Sequence, residues 1–191
     1  MKDKIVLITG ATAGIGKETA REVAKQGANV VIIGRDEVKT QAVAEELKKS
    51  SGNEKIETLV ADLSLMSEIR RVAAEFKAKF SRLDVLVNNA GAIFDERETT
   101  AEGLEKTFAL NHISYFLLTN LLLDTLKNSA PSRIVSVSSM AHSFGSIDFD
   151  NLNSEKSFSK LGSYSASKLM NILFTYELAR RLEGTRVTAN C

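Results

Sequence analysis

Tyr164 and Lys168 stand four residues apart in a segment of helical period, Ser163 to Leu182, so their side chains share one helix face and can share one site. A phenol with its ordinary pKa near ~10 is a poor acid or base at neutral pH, and an ammonium beside it lowers that value. The pair has the chemistry of a tuned general acid–base, able to give a proton to a carbonyl oxygen or take one from an alcohol. The same spacing is common on exposed helices, where it contributes roughly a few tenths of a kcal/mol, so other residues must decide. Ser139 follows an apolar run, and its hydroxyl can donate to an oxygen that gains negative charge during reaction. A serine standing alone there would be only a strand-end cap.

A second constellation lies near the N-terminus. Thr9-Gly10-Ala11-Thr12-Ala13-Gly14-Ile15-Gly16 joins an apolar strand directly to a helix. Glycines at such a turn let the backbone bend sharply and approach a ligand, and the helix N-terminus offers free N–H groups to a pyrophosphate. Gly10, Thr12, Gly14, Ile15 and Gly16 are the expected cofactor contacts. A kinase-type phosphate loop is disfavoured, because Gly16-Lys17 is followed by Glu18 and not by Ser or Thr. About twenty residues on, the second strand ends Ile33-Gly34-Arg35-Asp36. A carboxylate at that end would suit the ribose hydroxyls of NAD, whereas the guanidinium of Arg35 suits the extra phosphate of NADP, which is the favoured cofactor. Asp36 leaves an alternative, since it could pair with Arg35, read a ribose hydroxyl, or simply sit solvated at a helix start.

Positioning these groups requires a scaffold. Short β-branched runs alternate with longer helical segments, the pattern of parallel strands joined by helical crossovers. Strands are predicted over Lys4 to Thr9, Asn29 to Ile33, Lys55 to Ala61, Asp84 to Asn88, Arg133 to Ser138 and Thr185 to Asn190. Helices are predicted over Gly14 to Gln26, Glu37 to Lys49, Leu65 to Phe80, Ala101 to Leu126 and Ser163 to Leu182. Right-handed crossovers make this an α/β fold, a three-layer doubly wound parallel sheet of Rossmann type. The long polar connection from about residue 141 to 161 is expected to help shape the binding site.

With 191 residues the chain is expected to form a single dinucleotide-binding and catalytic domain, 1–191. A formal charge of +1 argues against nucleic acid as a partner. Cys191 is the only cysteine, which excludes an intramolecular disulfide and points to a reducing compartment, so a cytoplasmic location is expected. A strand starting at Lys4 leaves no room for a signal peptide, and the apolar stretch Ile113 to Leu126 is too short and too polar to span a membrane. His112 and His142 lack the companions of a metal site, so no metal is expected.

Tyr164-Ser165-Ala166-Ser167-Lys168, the glycine turn, Asn88-Asn89-Ala90-Gly91 and Ser138-Ser139 together resemble the short-chain dehydrogenase/reductase family over essentially the whole chain. The run from Arg133 to His142 and Lys168-Leu169-Met170-Asn171 are most similar to its retinol dehydrogenase-like branch. The resemblance implies an oxidoreductase that moves a hydride between nicotinamide and a carbonyl or alcohol carbon, with Asn111, Ser139, Tyr164 and Lys168 as the catalytic set. In that family the asparagine at Asn111 lies in perturbed helical backbone and holds a water linked to the lysine, in a relay from Tyr164 through the cofactor ribose to solvent. Tyr164 and Lys168 would also contact the cofactor, and Ser138 would face the sheet or backbone. Asp62 and Leu63 would contact adenine, although Asp62 equally suits a helix N-cap. Asn89, Ala90 and Gly91 would admit the adenosine ribose, with Asn89 tying neighbouring strands; Gly91 alone could be a turn residue.

The branch implies an apolar substrate, such as a retinal-like, steroid-like or long-chain aldehyde or ketone; family relatives often form homodimers through the helices of Asn111 and Tyr164, which the apolar stretch Phe116 to Leu123 permits, although core packing explains that stretch equally well. Family members continue past the position of Cys191 into a substrate-covering segment, which this chain is expected to lack. A protochlorophyllide reductase-like enzyme is disfavoured by the want of pocket cysteines. A non-catalytic dinucleotide sensor on the same fold is the alternative of a different class.

Overall fold

The computed structural model describes residues 1–191. Strands β1 (Ile5–Thr9), β2 (Asn29–Gly34), β3 (Ile56–Val60), β4 (Val85–Asn88), β5 (Ser132–Ser136) and β6 (Val187–Asn190) form one parallel sheet in the order β3-β2-β1-β4-β5-β6. The central strands are apolar on both faces because both faces are covered. Leu7, Val31, Ile33, Leu86 and Ile134 pack towards α3 (Met66–Lys79), α5 (Ser114–Asn128) and α6 (Lys160–Arg181). Val6, Ile8, Val30 and Ile32 pack the other way, against α1 (Gly14–Lys25) and α2 (Glu37–Ser51). Three layers result, with the period-two alternation of each strand dividing its side chains between two cores. No helix is long and apolar enough to cross a membrane.

The six expected strands are present with their ends within two residues of expectation. The largest departure is the helix expected from Ala101, which begins only at Lys106 with a single turn, α4 (Lys106–Phe108). The cause is a pair of carboxylates with other tasks. Glu102 caps a different helix, accepting from the backbone N–H groups of Met66 and Ser67 at the start of α3. Gly103 then turns the chain at φ +83°, Thr99 and Glu105 form an antiparallel bridge, and Glu105 caps α4 by accepting from Thr107 N and Phe108 N at 2.7 and 2.8 Å. A π-helical turn (Ala109–Ile113) follows before α5 resumes normal pitch. At the other long helix, Ser159 accepts from Gly162 N, so α6 starts three residues before the expected Ser163.

The N-terminal edge of the sheet is fastened by one buried carboxylate. Asp84 is 2% exposed and accepts from Lys4 Nζ and Ile5 N, both at 2.9 Å, and from the Arg82 guanidinium at 2.6 Å. It therefore joins the starts of β1 and β4 at the end of the sheet away from the site. Burial alone would raise the Asp84 carboxyl, but the hydrogen bonds from Arg82, Lys4 and Ile5 outweigh it and hold it below the usual carboxylate range. A lowered folded-state pKa contributes stability that is complete above the unfolded value of ~3.9 and is lost as pH falls through the folded value. Asp84→Asn should cost about 1–3 kcal/mol at pH 7, since the cationic partners are half-exposed. The difference should shrink towards zero in strong acid; urea unfolding of both proteins at neutral and acid pH measures it, and a pH-independent difference would refute this account.

Candidate active site

At the carboxyl edge of the sheet, α1 departs from β1 to one face while the chain leaving β4 turns to the other. A crevice must open between them, which is where open α/β sheets bind ligands. Here it is a cleft of about 750 Å³, within the range of sites that enclose a cofactor. The crevice floor is knitted across the two strands. Thr9 Oγ1 accepts from Asn89 N and Ala90 N at 2.8 and 2.9 Å, and Asn89 Nδ2 donates to Thr9 O and Gly10 O at 2.9 and 3.2 Å.

The glycine turn fits a pyrophosphate. Gly10 has φ +65°, and a Cβ there would stand 2.7 Å from Ala90 Cα; a Cβ on Gly16 would stand 2.4 Å from Asn89 Nδ2. The turn can therefore press against the β4 loop only without side chains. α1 begins at Gly14 behind Ala13, which supplies no side-chain cap, and its first turn holds no acid, so its N–H groups remain available to an anion. Gly10, Thr12, Gly14 and Ile15 line the cleft; Gly16 lies behind it, buried in the turn.

Gly34 ends β2 where a Cβ would lie 2.1 Å from Thr40 Oγ1 and 2.6 Å from Thr12 Cγ2. No acidic side chain fits at that strand end, and the next residue, Arg35, lines the cleft. Asp36 does not line the cleft. It caps α2, its Oδ1 accepting from Lys39 N at 2.7 Å.

Asp62 and Leu63 line the cleft beyond β3, and so do Ala90 and Gly91 beyond β4. The alternative of Asp62 as an N-cap is corrected: α3 has Leu65 at its N-cap and Glu102 as its capping carboxylate. Asp62 instead forms a local turn, its Oδ1 accepting from Ser64 N at 2.9 Å and Ser64 Oγ at 2.7 Å.

Ser139, Tyr164 and Lys168 face the same cleft. Ser139 Oγ accepts from Ala141 N at 3.2 Å, which leaves its own proton free to donate. Ser138 turns to the helix, donating to Lys168 O at 2.9 Å. Lys168 is 4% exposed; its Nζ donates to Val137 O at 3.0 Å and lies 5.6 Å from the centroid of the Tyr164 ring. Burial pulls the Lys168 ammonium below the usual lysine range, with the Cys191 side chain opposing it.

Asn111 does not reach the cleft. Fully buried in the π turn, it accepts from Ala92 N at 2.9 Å through Oδ1, and Nδ2 donates to Ala92 O at 2.9 Å and Ser167 Oγ at 3.2 Å. Its backbone carbonyl accepts from Asn171 Nδ2 at 2.8 Å, and Asn171 Oδ1 is 3.0 Å from His112 Nδ1. Ser167, Asn171 and Thr9 are positioning residues that the motifs alone did not single out. The signal was available for two of them: Ser167 and Asn171 continue the polar face of α6 at helical spacing from Tyr164 and Lys168. The long connection behaves differently from expectation. No residue between Met140 and Ser163 lines the cleft. The connection coils into short 3₁₀ turns and is pinned by Asn153, whose Oδ1 accepts from Glu105 N and whose carbonyl accepts from Arg97.

Comparison with known proteins places this geometry. Human retinol dehydrogenase 11 is 50% identical over 185 residues, which cover 97% of this chain and 58% of that relative. A crystal structure of a protein from Mycobacterium paratuberculosis superposes with a TM-score of 0.87 at 40% identity, covering 98% of this chain and 66% of the other. The Pseudomonas aeruginosa RhlG/NADP active-site complex superposes with a TM-score of 0.81 at 29% identity over 100% of this chain and 71% of the other. The chain thus spans less than two thirds of the length of these first two relatives. Residues 4–191 match the family described as short chain dehydrogenase, and the chain belongs to that family, on its retinol dehydrogenase-like side.

Proposed function

We propose that this chain is the dinucleotide-binding and catalytic part of an NADP(H)-dependent oxidoreductase acting reversibly on a carbonyl or alcohol carbon. The observation that carries the reading is convergence: Tyr164 and Lys168 line the one cleft that the uncapped start of α1 and Arg35 also line. The glycine turn would hold the pyrophosphate, Arg35 the additional phosphate, Asp62 and Leu63 the adenine, and Asn89, Ala90 and Gly91 the adenosine ribose. When bound, the nicotinamide supplies or accepts the hydride.

The chain's own groups manage the oxygen and its proton. Ser139 donates to the substrate oxygen and stabilises the negative charge developing there. In reduction the Tyr164 O–H bond breaks, the proton passes to that oxygen, and the phenolate left behind is stabilised by the adjacent ammonium of Lys168 until it is reprotonated. Oxidation runs the same proton transfer backwards. Asn111 and Ser167 keep the π turn and α6 in register, so Tyr164 and Lys168 hold their places.

Arg35 supports NADP over NAD because Gly34 bars an acid from the strand end and Asp36 is engaged as a helix cap. An apolar substrate, retinal-like, steroid-like or a long-chain aldehyde, is supported by Ile93, Phe94 and Leu110 in the cleft wall.

Two measurements test the reading. NADPH oxidation with a panel of apolar aldehydes should proceed in the parent chain and fall by about 10²–10⁴-fold in Tyr164→Phe, while dinucleotide binding persists. Binding without turnover across the panel would instead identify a dinucleotide sensor. Arg35→Ala should weaken NADPH binding by about 10–100-fold, the value of a charged hydrogen-bonded contact, and leave NADH binding nearly unchanged. Equal losses for both dinucleotides in a fluorescence titration would remove Arg35 from the phosphate site.

A further inference from the structure

Lys168 is the only lysine in the buried interior, and one side chain against it has no task in the chemistry above. Its Nζ lies near two aromatic rings: the Tyr164 centroid is 5.6 Å away and the Tyr115 centroid 5.8 Å away. Tyr115 stands in the first turn of α5, just past the π turn, and is 1% exposed. Its hydroxyl is buried without a hydrogen-bond partner. Within the chain, what Tyr115 turns towards Lys168 is its ring. Lys168 has three N–H donors and gives one to Val137 O; a ring face carries the negative end of the aromatic quadrupole and attracts a cation that is short of solvation.

We infer that Tyr115 is a positioning residue whose ring supports the buried charge of Lys168, so that an ammonium stands beside Tyr164. The purpose rests on the oxidoreductase reading, but the contact itself belongs to the cofactor-free chain. Burial draws Lys168 down, and a ring face against the cation would oppose that. Burial pushes the Tyr115 phenol up, with Cys191 and Tyr164 adding to it, so Tyr115 stays neutral and takes no part in proton transfer. The titratable groups facing Lys168 are Tyr115 from α5, Tyr164 from α6 and Cys191 beyond β6.

The test is the titration of Lys168 itself in the cofactor-free chain, by NMR of lysines labelled with ¹³C at Cε, its resonance assigned by its loss in Lys168→Arg. Tyr115→Phe should leave the midpoint where it is, while Tyr115→Leu should lower it by about one pH unit, as expected for a cation losing a desolvated ring. Tyr115→Met, unbranched and of similar bulk, provides a second ring-free variant, and circular dichroism checks that each variant is folded. An unmoved midpoint in a folded Leu or Met variant overturns the inference, as does a fall in Phe equal to that in Leu. Turnover is measured separately: its absence from the parent chain would sink the oxidoreductase reading, while the lysine titration decides the role of Tyr115 by itself.

Discussion

Taking an ammonium out of water costs several kcal/mol unless the surroundings replace the lost hydration. Lys168 is 4% exposed, and much of the site is arranged around that requirement. β5 stops pairing at Ser136, so that the next carbonyl, that of Val137, accepts from Nζ instead of continuing a ladder. Ser138 then donates to Lys168 O and fixes the backbone of α6 at the residue that carries the charge. Gly91 approaches from the β4 loop, where a Cβ would come within 3.6 Å of Nζ and 3.2 Å of Asn111 Oδ1. A side chain at residue 91 would press on the asparagine and stand in contact with the ammonium. Three segments far apart in sequence meet at one nitrogen, and the phenol one turn away inherits its position from them.

The π turn belongs to the same arrangement. Asn111 spends its side chain on Ala92 and Ser167, and its carbonyl on Asn171, which ties the β4 loop to both long helices through one buried residue. Because Asn171 Nδ2 donates to that carbonyl, its Oδ1 is left as an acceptor, and the facing His112 Nδ1 must carry a proton. Burial lowers the His112 pKa, so the ring serves as a neutral donor. This histidine is structural: it orients the asparagine that holds the turn.

How legible this was depended on whether a feature is local. The strands were readable because each is a β-branched run that tertiary structure only had to cover, and Tyr164 with Lys168 because four residues is one helical turn. The start of the Asn111 helix was not, because Glu102 caps α3, some 35 residues earlier in the chain, and so cannot stay helical at its own position. Asp62 was ambiguous for the same reason, since the competing cap comes from a distant segment. The exclusion of an acid at the end of β2 was readable as a glycine, but its cause, the close approach of Thr12 and Thr40 to Gly34, exists only once α2 has folded back on the sheet. The role of Asn111 came from family resemblance alone; nothing in its neighbouring residues announces a π turn.

The two edges of the sheet are built on opposite terms. At the amino edge, Asp84 is satisfied by Lys4, Arg82 and Ile5, and the buried serines beside it, Ser129 and Ser132, are hydrogen-bonded to backbone. At the carboxyl edge, the paired strand-end residues Asn88 and Ser136 leave Asn88 Oδ1 and Ser136 Oγ buried without hydrogen-bond partners, as does the Tyr115 hydroxyl. An unpaired buried polar atom costs roughly 1–3 kcal/mol, so a sheet selected for stability alone would not gather them. They lie at the end of the sheet that opens on the cleft lined by Tyr164 and Lys168.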